Sequence, residues 1–296
     1  LISKKNPPYV WYIGEAGICA IAANVAMWQH DYSGAIDWIQ KLFLAKGPTG
    51  KVYGGTSQAD LTPAANWKNL FLAPDQTTEN IWSINWDYTL NGCACLVNSI
   101  YYNNSPVEID SIVRTDWPTD SQDIRVSQTI DPNIGYHGYL LKYYPNSVVA
   151  AGWKPVDDVK ALPVYLVMYR LAGIYLLYAE ALNYTGQTAE AITYLNYVRT
   201  RAGHDAYQES AFASADAVED AILDERRWEL FGEGSRWFDL VRTDRVNKVM
   251  DPVMKIRQEK FGIAPVGFGS NADKILWPIN QQVLENNPLL TQNPSY

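Results

Sequence analysis

The stretch from Asp216 to Arg242 constrains the chain most. Glu225, Arg226, Arg227, Glu229, Glu233 and Arg236 are interleaved there with Trp228, Leu230, Phe231, Trp237, Phe238 and Leu240. A solvated helix face does not carry so many large apolar groups among its charges. Some of the charges must therefore be buried, and a buried charge needs a partner. The segment opens as an amphipathic helix, with Asp216 as the expected N-cap and Glu219 placed to complete a capping box. Its density of acids and bases admits two readings, an acid–base centre or an ion-paired scaffold. The scaffold is favoured, because each carboxylate has a guanidinium within helical reach.

Helical spacing recurs elsewhere. Tyr9 to Trp28 reads as a small-faced helix through Gly14, Ala16, Gly17, Ala20, Ala23 and Ala26. Asp31 or Ser33 can cap the next helix, which carries Ala35, Ile36, Trp38, Ile39, Leu42 and Phe43. Downstream, Tyr165 to Tyr184 reads as one helix ended by Gly186, and Thr188 starts another with Ala191, Ile192, Leu195 and Val198 inward. The two pairs match in register, Ala35-Ile36 with Ala191-Ile192. A helix, a short polar turn and a second helix of this kind is tetratricopeptide-like.

The pairs are separated by residues 47–162, rich in Gly, Pro, Asn, Asp, Ser and Thr. Short period-two runs occur there, Asn80 to Trp86 and Tyr139 to Tyr144. The expected fold class is therefore mainly α: a tetratricopeptide-like helical repeat scaffold with a long irregular, loop-rich insertion containing short β-strands. Residues 1–46 form the first helical pair and 47–162 the insertion. Residues 163–296 hold the second pair, the charged helix and a turn-rich tail expected to wrap the core.

Composition narrows function. The chain has a net charge of −8 and no run of Lys or Arg longer than a pair, which argues against a nucleic-acid partner. It holds 11 Trp and 20 Tyr but only 7 Phe, an excess of rings with a polar tip that suits surfaces holding polar ligands. Loops on a rigid scaffold are where binding is expected. In the insertion, Trp86 and Tyr88 leave a strand into a loop ending Asn91-Gly92, and Trp117 lies between Asp116 and Pro118. These three are the leading stacking candidates, with core packing as the competing role. Tyr101 and Tyr102 alternate faces, so at most one serves, and Asn103 and Arg114 are candidate hydrogen-bonders. Trp11, Trp28 and Trp38 are read as core or partner-facing residues of the first helical pair.

Catalytic and metal patterns are weak. His30, His137 and His204 are isolated, and no HExxH, GxSxG or phosphate-binding loop is present. Asp131 to Lys142 starts like a calcium loop but has Gly135 one place early and Lys142 at the twelfth position. Asp116, Asp120 and Asp123 beside Trp117 are the place to look for a glycosidase pair, though Asp in such a loop commonly makes turns. Cys93 and Cys95 are too close for an easy disulfide and Cys19 sits in an apolar helix, so no disulfide framework or zinc site is read. No catalytic residue, metal or cofactor is expected. No stretch reaches the roughly 18 apolar residues of a membrane span. The first residues lack the apolar core of a signal peptide, so the chain is expected to be cytosolic or to come without a processed leader.

Leu223 to Arg242, LDERRWELFGEGSRWFDLVR, resembles the C-terminal signature of the SusD/RagB family. Tyr175 to Gly203 resembles that family's late tetratricopeptide pair, Glu79 to Ile84 its post-repeat strand, and Trp277-Pro278-Ile279 with Gln292-Asn293-Pro294 its ending. The likeness spans nearly the whole chain and corresponds to the family's C-terminal part, from about the third repeat pair onward. Family members are longer and begin with a signal peptide and a lipid-bearing cysteine, a role Cys19 cannot fill inside a helix. The resemblance implies a non-catalytic, surface-exposed lipoprotein of the Bacteroidetes outer membrane, lipid-anchored outside this segment. It implies a glycan ligand, or a peptide in some relatives, held over a SusC-like TonB-dependent transporter. A glycosidase and a scaffold with protein partners alone are the rival readings; the second would leave Trp86, Tyr88 and Trp117 buried.

Overall fold

A computed structural model describes residues 7–92, 109–110, 113, 117, 122–131, 139–144, 164–269 and 272–294. They fall into two compact units, residues 1–234 and 235–296.

In the first unit, α1 (Glu15–Trp28) buries its small-residue face, Ala16, Cys19, Ala20, Ala23 and Met27, against α2 (Tyr32–Leu44). Asp31 caps α2 by accepting from the Gly34 amide at 2.9 Å. A short α3 (Asn69–Leu72) leads to strand β1 (Asn80–Trp86), which is followed by the one-turn α4 (Tyr88–Asn91). Then come α5 (Ile124–Thr129) and the two-residue strands β2 (Ile130–Asp131) and β3 (Tyr139–Leu140), paired antiparallel. Strand β4 (Val164–Arg170) pairs antiparallel with β1 and runs directly into α6 (Leu171–Tyr184), which packs on α7 (Thr188–Arg201). Helix α8 (Ala215–Glu229) lies on α6 and α7.

One apolar core joins the two helical pairs. Ile39 and Leu42 of α2 meet Ile174, Leu177 and Tyr178 of α6 and Ala191 and Leu195 of α7. Phe43 stands edge-on to Tyr175 and Tyr178, at centroid distances of 5.8 and 5.5 Å. Three tyrosine hydroxyls fasten the loop after α2 to this core: Tyr194 donates to the Gly55 carbonyl at 2.5 Å, Tyr197 to Thr56 at 2.9 Å and Tyr175 to Ser57 at 3.1 Å. A second core gathers Trp67, Phe71, Trp117, Leu140, Tyr143 and Val164 beside the strands.

The second unit holds α9 (Arg236–Arg242), α10 (Val246–Lys260) and α11 (Gln281–Asn286). Its tail closes on itself. The Gln292 side chain accepts from the Ile279 amide at 2.8 Å and donates to the Ile279 carbonyl at 3.0 Å, and Asn293 Nδ2 donates to the Trp277 carbonyl. The two ending motifs are thus one clip.

The mainly helical class and the matched pairs are as expected from the sequence. Four local readings are corrected. The first helix starts at Glu15, and Tyr9 to Gly14 is a turn. The stretch from Tyr165 is strand to Arg170 and helix only after it, because β1 offers it an edge to pair with. Ser214, not Asp216, caps α8, accepting from the Ala217 amide at 3.2 Å. Of Tyr139 to Tyr144, only Tyr139–Leu140 is strand.

Candidate functional site

The charged segment resolves into a buried network. Glu229, the last residue of α8, is fully buried and collects three guanidiniums. Arg170 Nη1 donates to its Oε1 at 2.5 Å, Arg125 Nη1 to its Oε2 at 3.2 Å, and Arg201 Nη2 to its Oε1. Glu79 shares Arg170 Nη1 with Glu229, at 3.2 Å, and takes the other arm of Arg201, Nη1, at 2.8 Å. Arg125 also bonds Glu225 at 2.5 Å and Asp123 at 2.9 Å. Lys142 Nζ donates to Glu233 and to the Phe231 carbonyl, both at 2.7 Å. The partners of Glu229 thus come from α5, β4 and α7, whereas sequence spacing pointed to its own helix. Arg226 turns instead to the Gly173 carbonyl at 3.0 Å.

Electrostatics favour the ionised form of the network's carboxylates. Burial alone would raise the Glu229 carboxyl, but Arg201, Arg170 and Arg125 hold it well below the usual carboxylate range. Burial likewise opposes ionisation of Glu233, and Arg170 and Lys142 reverse the effect. Burial pushes the Lys142 ammonium down to about 8 against the pull of Glu233. Asp123, the described member of the aspartate trio, is buried, doubly bonded to Arg125 and 3.0 Å from His204 Nε2. Burial would raise its carboxyl, but Arg125 and His204 hold it down. Carboxylates paired in this way clamp the elements that supply their partners. Among the described residues no group of three or more His, Cys, Asp and Glu is placed to hold a metal.

The stacking candidates separate. Trp86 ends β1, is partly exposed, and rests on the edge of the second core. Its Nε1 donates to the Gly92 carbonyl at 3.0 Å. The turn beyond it is closed by Asp87, whose Oδ1 accepts from the amides of Thr89 and Leu90 at 2.8 and 3.2 Å, and whose own amide donates to Asn91 Oδ1 at 3.1 Å. Tyr88 begins that turn. Trp117 is a correction: it is only 2% exposed, with its ring 4.8 Å from Trp228 and 5.0 Å from Phe231. A polar loop sequence suggested exposure, but the signature segment supplies an apolar seat for the ring. Tyr101, Tyr102, Asn103 and Arg114 lie outside the described residues.

A ring cluster that sequence reasoning passed over lies before α1. Tyr9 and Trp11 stack at 4.6 Å and 5°, and Trp11 lies 6.3 Å from Tyr165 of β4. Tyr12 is 6.3 Å from Tyr9. The turn is pinned by Val10, which is buried and whose carbonyl accepts from the Ser83 amide of β1 at 3.0 Å. The available signal was the Tyr-x-Trp spacing, hidden by reading the segment as helix.

Comparison with known proteins places this architecture. The model of the SusD family matches residues 125–296. SusD-like protein P38 of Formosa agariphila is 29% identical over 99% of this chain and 62% of the relative. Surface glycan-binding protein A of Bacteroides uniformis superposes with a TM-score of 0.65 at 24% identity, over 96% of this chain and 62% of that one. The protein of the same name from Bacteroides thetaiotaomicron, solved in complex with laminarihexaose, gives 0.65 at 20% identity, over 95% and 64%. The chain therefore spans less than two thirds of the length of these relatives.

Proposed function

The chain belongs to the SusD family, and from that premise we propose that it captures oligosaccharide or polysaccharide without transforming it. In this reading it works at the surface of a bacterial outer membrane, held by a lipid anchor, and passes its ligand to a SusC-like TonB-dependent transporter. Residues 47–162 carry ligand contact, and the flanking 1–46 and 163–296 carry the scaffold.

The observation that supports this most is Trp86. Its partly exposed ring is set at the end of a strand and tied by its own Nε1 to Gly92 at 3.0 Å. A sugar face carries C–H groups that stack on such a ring, and a ring already held in place loses little side-chain entropy on binding. The locked state of Glu229 and Asp123 supports capture over chemistry, since a general acid must be reachable and able to change its charge. Binding of moderate strength then allows release to a transporter. A relative with a bound laminarihexaose is consistent with this ligand class.

Calorimetric titration against a panel of polysaccharides, with reducing ends assayed in parallel, tests the proposal. Saturable binding without release of reducing ends is the expected result. Release of reducing ends overturns the capture reading, and silence across every glycan while a peptide library binds moves the ligand class to peptide.

A further inference from the structure

The cluster before α1 is organised as a second binding surface. Tyr9 is 45% exposed and Tyr12 is 54% exposed, although both belong to a turn anchored by the buried Val10. Exposed rings on a turn held by the Val10–Ser83 backbone bond are preplaced for stacking. Across an antiparallel pair, facing residues project to one side, while neighbours along a strand project to opposite sides. Asn85 faces Tyr165, and Trp86 faces Val164. Asn85 and Tyr165 therefore share the side opposite to Trp86, and Trp11 stacks on that side against Tyr165.

We propose that Tyr9, Trp11 and Tyr12, with Tyr165, form a second sugar-stacking surface, back to back with Trp86, that takes uncharged glycan chains. The proposal rests on the glycan-capture reading and extends ligand contact beyond residues 47–162 to the flanking scaffold. Two aromatic surfaces on the two sides of one strand end let a single long chain be gripped at two points, which strengthens attachment without any new contact chemistry.

The choice of an uncharged chain follows from the field. Burial raises the Tyr165 phenol, and Asp75 and Asp87 raise it further. Asp87 stands two residues past Asn85, with its carboxylate in the turn beyond the strand, and negative charge at this strand end repels uronate or sulfate groups. The net charge of −8 acts in the same direction at longer range.

The test uses neutral hexasaccharides of glucose, xylose and mannose, with oligogalacturonate and sulfated galactan oligomers as anionic probes. The intact protein is compared with Tyr9→Ala/Tyr12→Ala, which removes only exposed rings, and with Trp11→Phe, which keeps an aromatic face in the stack. We expect at least one neutral hexasaccharide to bind, the double variant to weaken it roughly tenfold, and Trp11→Phe to stay within about threefold. Anionic oligomers should bind at least about tenfold more weakly in low salt, with the gap narrowing as salt screens the carboxylates. Unchanged affinity in the double variant, with loss in Trp86→Ala, overturns the second surface and leaves glycan capture standing. Tight binding of an anionic probe in low salt overturns the choice of uncharged chains. Failure of every glycan to bind overturns both readings.

Discussion

Arg170 and Glu229 meet at 2.5 Å across 59 positions of sequence, one leaving a strand and the other ending a helix, and both are buried. The contact fixes where β4 hands over to α6 relative to α8. Removing the carboxylate in Glu229→Ala leaves Arg125, Arg170 and Arg201 short of a counter-charge in the interior. Breaking such a pair from one side costs about 3–5 kcal/mol. Urea unfolding at neutral pH should show that loss, and a change under about 1 kcal/mol would refute the clamp.

The same network sets an acid limit. Glu229 and Glu233 have folded pKa values below their unfolded ones, because their guanidinium and ammonium partners outweigh burial. Their contribution is fully present above the unfolded carboxylate pKa of about 4.3 and drains away as pH falls through it toward the folded values. Thermal unfolding between about pH 7 and 3 should show a midpoint that is flat near neutrality and drops below about pH 5. A midpoint that does not fall on acidification contradicts this linkage.

Trp117 and Trp86 should behave oppositely on truncation. Trp117 is packed between Trp228 and Phe231, so Trp117→Ala should cost about 3–5 kcal/mol of stability. Trp86 is partly exposed, so Trp86→Ala should cost under about 1.5 kcal/mol and register in ligand affinity instead. Paired unfolding curves decide, and equal destabilisation of the two variants would refute the distinction.

Gly203 closes α7 with φ at 104°, and a Cβ there would lie 2.2 Å from the Gln122 carbonyl oxygen. Gly203→Ala should therefore strain the backbone and push residue 122 away, destabilising by roughly 1–3 kcal/mol. Gly186→Ala, with φ of 81° but open space around it, should cost less. A reversed order in thermal unfolding would contradict this packing account.

Much of the scaffold was legible because it is local. The Ala35 and Ala191 registers, the Asp31 cap and the strand from Asn80 are written in short-range spacing and turn chemistry. The helix reading from Tyr165 failed because apolar residues at 166, 167, 171 and 174 fit a helical period, and only pairing with β1 settles Val164–Arg170 as strand. The density of charge near Glu229 showed that partners must exist. It did not show which, since Arg125, Arg170 and Arg201 arrive from distant segments. Trp117 misled for the same reason: its neighbours in sequence are polar and its neighbours in space are Trp228 and Phe231. The Tyr9–Trp11 stack was missed because a turn pinned by one backbone bond to Ser83 leaves no periodic trace.

The claim of glycan capture is tested most directly by calorimetric titration of one neutral oligosaccharide into the intact protein and into Trp86→Ala. The account predicts saturable binding to the intact protein, roughly tenfold weaker binding to a folded variant, and no new reducing ends in either cell. Equal affinity in both proteins, or reducing ends that accumulate during the titration, would contradict it.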